Sequence, residues 1–185
     1  MISFYLSLVE TDEDRDKVIL LYESFYSFMC YTAGEILHHN KYDVEDIVHN
    51  AMIKLIQNLD LIDFSDMQKT KNLCGIVAKN LAIDYCKLKE NQKLSLDDEI
   101  CESIVTEDNT SDIIITKDTY DIVLRELKSL DDKYRDICIM KYIHELKERE
   151  IALLLDIPPN TVSTRIFRGK QILREALRKE NVYVS

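Results

Sequence analysis

Thr161, Thr164, Arg165, Arg168 and Gln171 are the residues of this chain whose types and spacing suggest chemistry most directly. On a helix they fall on one stripe, with Ser163 and Lys170 at its margins and Asn160 immediately before it. Arginine forks and short hydroxyls so arranged suit the base edges of a DNA major groove and the phosphates beside it. From Thr161 to Lys179 the basic residues Arg165, Arg168, Lys170, Arg174, Arg178 and Lys179 stand against Glu175 alone. That local excess of +5 sits in a chain of net charge −10. The positive charge is concentrated on one segment.

Two helices must hold that stripe. The first runs through Lys147, Glu150, Ile151, Ala152, Leu153 and Leu154, with Ile151, Leu154 and Leu155 facing inward. It stops at Asp156-Ile157-Pro158-Pro159, because proline lacks the amide donor and disfavours helical geometry in the residue before it. Proline is welcome in a first turn, so Pro159 starts the second helix. Val162, Ile166, Gly169 and Leu173 form its inward stripe. Glu148 to Leu177 therefore reads as a helix-turn-helix. The same pattern of two helices around a proline turn also occurs in purely structural bundles.

Composition bounds the rest. The chain has 185 residues with three glycines and two prolines, and helical periodicity over long stretches, which predicts an all-α protein of one to two small domains. From Asp121 onward there are thirteen basic and eleven acidic residues, leaving eleven basic and twenty-three acidic before it. An acidic chain is not a simple nucleic-acid coating protein, since non-specific affinity comes from uncompensated positive charge. If DNA is bound, a partner supplies much of the affinity.

Cys30, Cys74, Cys86, Cys101 and Cys138 are odd in number and form no CxxC pair, as expected of reduced structural thiols in the cytoplasm. His38, His39, His49 and His144 show no ligand spacing, so no metal is expected. Without a nucleophile and base pair or a phosphate-binding glycine loop, no catalysis and no cofactor are expected. The opening Met1 to Val9 is apolar but short and lacks a basic flank, so it reads as neither signal peptide nor membrane span.

The front of the chain predicts helices over about 12–38, 43–58 and 68–90. Asp43 is the expected N-cap of the second, whose core stripe is Val44, Ile47, Val48, Ala51, Leu55, Ile56 and Leu59. Leu73, Ile76, Val77, Leu81 and Tyr85 form that of the third, leaving Lys79, Lys87 and Lys89 for solvent or a ligand. Ser95 to Asp118 is acidic with little periodicity and reads as a flexible connector, within which Ile113, Ile114 and Ile115 make an apolar patch. Behind it, helices are expected over 119–130 and 131–142.

Taken together, the chain resembles the two-domain bacterial RNA polymerase sigma factors of the extracytoplasmic-function (ECF) group over nearly its whole length. Val44-Glu45-Asp46-Ile47-Val48-His49-Asn50-Ala51-Met52 resembles the family's helix that grips the polymerase coiled coil. Leu73, Ile76, Ala78-Lys79-Asn80-Leu81-Ala82-Ile83-Asp84-Tyr85 and Lys87 resemble its promoter-opening helix. Leu130, Tyr134-Arg135, Met140, Tyr142, Glu150-Ile151-Ala152, Leu155, Thr161 to Arg165 and Arg168 resemble its upstream-element reader. Three motifs stand in the family's order. The departures are His49, Asn50 and Met52 where the family usually has glutamine, an acidic residue and phenylalanine, and Lys87-Leu88-Lys89 where it is often arginine-rich. Asp156 stands where a glycine often ends the first helix of the pair, leaving Pro158-Pro159 to set the turn.

The resemblance implies two small helical domains joined by a flexible acidic linker. They are an N-terminal sigma domain over 1–93, a linker over 94–118, and a C-terminal sigma domain with the helix-turn-helix over 119–185. It implies core polymerase contact through Glu45, Asp46, Ile47, His49 and Asn50. It implies reading of duplex minus-35 DNA through Asn160, Thr161, Ser163, Thr164, Arg165, Arg168 and Lys170. The opened minus-10 strand would meet Lys79, Asn80, Asp84 and Lys87, with the preceding loop Asp60 to Lys71. In that loop Phe64 is either a base-stacking residue or a buried anchor. Asp84 is expected to orient a basic neighbour, because phosphate repels a carboxylate. The linker is either a solvated tether or a nucleic-acid mimic that passes through a polymerase channel. A cognate anti-sigma factor, often membrane-tethered, is the further partner implied. Two other readings are a stand-alone dimeric helix-turn-helix regulator and a sigma-like interaction protein that does not read DNA.

Overall fold

A computed structural model of the chain describes residues 1–91 and 117–179. Among these residues every regular element is helical, and the chain divides into two compact units, Met1–Asp98 and Glu99–Ser185. The acidic connector, with Ile113 to Ile115 and Cys101, lies outside the described residues except where a helix begins at Lys117.

The first unit holds α1 (Ile2–Leu6), α2 (Asp12–Ile36), α3 (Lys41–Ile56), a 3-10 turn at Leu59–Leu61, and α4 (Met67–Asn91). Thr11 caps α2: its hydroxyl accepts from the Asp14 N–H at 3.1 Å, and Asp12, Glu13 and Asp14 place negative charge at the positive end of the helix dipole. Val18, Leu21, Phe25, Met29 and Ala33 fall at helical spacing and are buried against α3 and α4. The stripe expected of α3 is buried throughout, from Val44 to Ile56 on the helix and on to Leu59 in the 3-10 turn.

Three expectations for this unit are corrected. Asp43 is not a cap: α3 starts at Lys41 with Asn40 as N-cap, and the Asp43 carboxylate reaches α4 instead. The loop reaching to Lys71 ends at Met67, because the Asp66 carboxylate accepts from the Gln68 and Lys69 N–H groups at 2.9 and 3.0 Å and starts α4 there. On α4, Leu73, Ile76 and Val77 are buried as expected, but Leu81 and Tyr85 are only half-buried, and Cys74, Ala78 and Ala82 complete the inward face. The five-residue α1 was not anticipated. It seats Tyr5, fully buried, with its hydroxyl 2.9 Å from His49 Nδ1.

The second unit holds α5 (Lys117–Ser129), α6 (Asp132–Tyr142), α7 (Glu148–Leu155) and α8 (Pro159–Lys179). Asp131 caps α6 through the Lys133 N–H at 3.1 Å. Arg135 ties α6 together locally, bridging Asp132 and the buried Asp136, and donates at 3.4 Å to the Lys128 carbonyl of α5. Glu150 accepts from the Lys147 N–H at 2.7 Å at the start of α7. Leu127, Leu130 and Cys138 make one buried cluster, and Ile151, Leu154, Leu155, Val162, Ile166 and Leu177 bury the faces of the helix pair. Cys30, Cys74, Cys86 and Cys138 are free thiols. Burial pushes the Cys74 thiol up to about 12 and the Cys138 thiol up to about 11, so both are protonated and unreactive near neutrality.

Candidate nucleic-acid interface

The turn between α7 and α8 is made by Asp156. It adopts φ 58°, ψ 42°, the left-handed conformation that glycine takes most readily, and the Ile157 N–H returns to the Ala152 carbonyl at 3.2 Å. The reversal was expected from Pro158-Pro159. In fact the backbone turns at Asp156, and the prolines start α8, where Thr161 and Val162 N–H groups bond to the Pro158 carbonyl at 2.9 and 3.2 Å.

Val162, Ile166 and Gly169 are buried and Leu173 half-buried, so the opposite side of α8 faces outward. Two rows run along that side. Asn160, Thr164, Phe167 and Gln171 form one; Thr161, Arg165, Arg168 and Ile172 form the other. Arg168 is exposed and Arg165 half-exposed, and neither guanidinium has a carboxylate partner among the described residues. Both can therefore turn toward phosphate or a base edge without first breaking an ion pair.

The hydroxyls are less available. Thr164 Oγ1 donates to the Asn160 carbonyl at 2.8 Å, so it presents lone pairs outward. Ser163 is engaged within the protein: its hydroxyl donates to Glu148 of α7 and lies 3.2 Å from the Pro159 carbonyl. The contact clamps the first turn of α8 to that of α7. Lys170 sits at the margin, half-buried. Phe167, 37% exposed in the midst of the outward rows, is a residue that sequence reasoning missed. Its signal was there: an aromatic ring on the polar stripe, able to meet a thymine methyl group.

In the first unit, Asn80, Asp84 and Lys87 share one row of α4, with Lys79 flanking it. Asp84 pairs with Lys87 at 3.6 Å, the orienting contact its charge suggested. Asn80 Nδ2 donates to the Ile76 carbonyl at 2.9 Å. Lys89 is exposed, as expected, but not free: its ammonium donates to Asp43 at 2.8 Å and lies 4.5 Å from the Tyr85 ring centroid. Phe64 is half-buried in a loop that its neighbours shape. The Asp63 carboxylate accepts from Ser65, and the buried Thr70 hydroxyl donates to the Asp63 carbonyl at 2.8 Å.

On α3, Asp46 and Asn50 are exposed and Glu45 and His49 half-exposed. Ile47 is 6% exposed and belongs to the core, so it holds the helix in place and offers no free contact. His49 is bonded to Tyr5 and flanked by Phe4, with ring centroids 5.3 Å apart. Asp46, Asn50 and Glu45 remain as the outward polar face.

Residues 120–173, which contain both outward rows of α8, match the family model described as Sigma-70, region 4. Over 178 residues the chain is 30% identical to the ECF RNA polymerase sigma factor SigW of Bacillus subtilis (strain 168), covering 91% of each chain. It is 27% identical over 139 residues to the ECF RNA polymerase sigma-E factor of Escherichia coli (strain K12), covering 71% of this chain and 72% of that one. It is also 27% identical over 145 residues to the RNA polymerase sigma factor SigV of Bacillus subtilis (strain 168), covering 77% and 81%.

Proposed function

Because this chain belongs to the ECF RNA polymerase sigma factors, we infer that it directs promoter-specific initiation by bringing core polymerase to two promoter elements, one for each helical unit. The observation that carries the reading is α8, whose outward face carries Arg165 and Arg168, without a carboxylate partner among the described residues, inside the segment that matches Sigma-70 region 4.

In this reading α8 enters the major groove of the minus-35 duplex. Arg165 and Arg168 supply base-edge or phosphate contacts, and Asn160, Thr161 and Thr164 supply shorter ones. One well-placed bidentate contact is worth about 1–3 kcal/mol, enough to rank promoters without providing the whole affinity. Polymerase provides the rest, held by the outward residues of α3, Glu45, Asp46 and Asn50, with His49 at their margin. The loop with Phe64 and the row Asn80, Asp84 and Lys87, with Lys79, hold the minus-10 strand as it opens. Unstacked bases are captured there by an aromatic platform and a basic track. The residues 1–93 and 119–185 are the two working domains. An anti-sigma factor restrains the protein by covering α3 and α8 until it is released, and the site of action is the cytoplasm.

Substitution separates the two halves of this reading. Arg165→Ala with Arg168→Ala abolishes promoter-directed run-off transcription while the complex with core polymerase survives. Asp46→Ala weakens that complex and leaves binding of the second unit to minus-35 duplex unchanged. Equal loss of both functions in both variants contradicts the assignment.

A further inference from the structure

We propose that Asp43 is a positioning residue for promoter opening, its carboxylate clasping Tyr85 and Lys89 and so fixing the last turns of α4 against the first turn of α3. The inference rests on the function proposed above and adds a residue to it.

The geometry is that of a two-pronged lock. The Tyr85 hydroxyl donates to Asp43 Oδ1 at 2.6 Å, and the Lys89 ammonium donates to Oδ2 at 2.8 Å. Tyr85 and Lys89 are four residues apart, hence neighbours on one face of α4, and the ammonium also sits 4.5 Å from the Tyr85 ring centroid. Each carboxylate oxygen has its own donor, so the plane of the group is fixed as well as its position. The Asp43 side chain is 19% exposed and that of Lys89 53%, so the Tyr85 prong is the one better shielded from water.

The core does not do this work. The last buried residue described on α4 is Ala82; from Ile83 to Cys86 the side chains are half-buried, and from Lys87 to Lys89 they are exposed. Beyond Ala82 apolar packing weakens, and the polar clasp, together with the Cys86 thiol 3.9 Å from the Ile36 carbonyl, ties these turns to the rest of the unit. Asp84 and Lys87, the end of the row assigned to the opened strand, lie in the same turns. Asp43 itself stands one turn before Asp46, on the helix assigned to polymerase. The clasp therefore sets the strand-holding row relative to the polymerase-holding face. It also engages Lys89 within the protein.

The test uses full-length protein assembled with core polymerase, on a promoter selected with the wild-type holoenzyme. The promoter is supplied as duplex and as a template premelted across the minus-10 element. Asp43→Ala is expected to lower open-complex formation on the duplex about tenfold, well within the loss that a misplacement of about 1 Å causes at a positioned site. Core affinity and initiation on the premelted template stay within about twofold. Asp43→Asn, which keeps the shape, shows the same split, and the exchange Asp43→Lys with Lys89→Asp restores opening. Loss on both templates alike, or loss of core affinity, makes Asp43 a mere support of the fold and overturns the proposal. So does a defect in Lys89→Met with none in Asp43→Ala, which would put Lys89 on the DNA. If the wild-type protein with core polymerase selects no promoter in the first place, the sigma-factor reading itself fails, a result distinct from all of these.

Discussion

Gly169 is dictated by the atom opposite it. A Cβ there would lie 2.7 Å from the Sγ of Cys138 and 3.5 Å from the Cβ of Tyr134, and Cys138 is too buried to yield. Alanine would gain about 1 kcal/mol of helix propensity, but overpacking a filled core costs about 1–3 kcal/mol, so the second effect wins. Gly169→Ala should lower stability in urea denaturation, and the loss should shrink on a Cys138→Ala background. Asp156 is the converse case, a residue with a side chain where the backbone is left-handed. Asp156→Val is expected to lose about 1–2 kcal/mol, because a β-branched side chain clashes in that conformation, while Asp156→Gly relieves it. Thermal melts of the pair check this; equal melting temperatures would mean that the turn is not strained.

The Asp43 clasp has a pH signature. Hydrogen bonds from Lys89 and Tyr85 hold the Asp43 carboxyl below the usual carboxylate range, and the bond to Asp43 raises the Lys89 ammonium above its ordinary value. A lowered acid contributes stability above its unfolded pKa and loses it as pH falls through the folded one. A raised base contributes below its unfolded pKa and loses it as pH rises through the folded one. The clasp is thus intact between about pH 4 and pH 10. The stability difference between wild type and Asp43→Asn should be constant across neutrality and shrink below about pH 4. A difference that varies between pH 6 and 8 would point to another group.

At the scale of the element, α8 owes its function to what its flanks do. The inward stripe seats it, Ser163 clamps its first turn to Glu148, and Arg165 and Arg168 are left facing out. Ser163→Ala should loosen the helix pair and cost stability without changing which base pairs are preferred at minus-35, as promoter selection would reveal. A changed preference would make Ser163 a DNA contact after all. If Arg168 contacts phosphate, Arg168→Ala should reduce the salt slope of minus-35 binding by about 1, whereas a base contact would relax specificity at one position.

The helix pair was legible because Pro158-Pro159 and the spacing of Ile151, Leu154, Val162 and Ile166 are local signals, and the long helices of the first unit were legible for the same reason. What escaped was set by distance in sequence. Asp43 looked like a cap because its partner Tyr85 is 42 residues away, and α1 escaped because five residues show no period. The engagement of Ser163 with Glu148 was hidden by the turn between them. Phe167 carries no charge or hydroxyl to mark it, and only its 37% exposure on the outward rows shows that it is not core.

For the whole molecule the decisive quantity is the placement of charge. A chain of net −10 cannot hold DNA by charge alone, yet its last long helix is locally basic and its front is strongly acidic. Such a chain needs a partner that supplies affinity while it supplies choice, as a sigma factor does with core polymerase. Among the described residues no helix is long and apolar enough to cross a membrane. The measurement that tests this most directly is size exclusion of the purified protein with bacterial core RNA polymerase at near-physiological salt, followed by run-off transcription from the isolated complex. The account predicts a one-to-one complex that initiates at discrete promoters where core alone does not. A folded protein that elutes apart from core, or a complex without promoter preference, would contradict it.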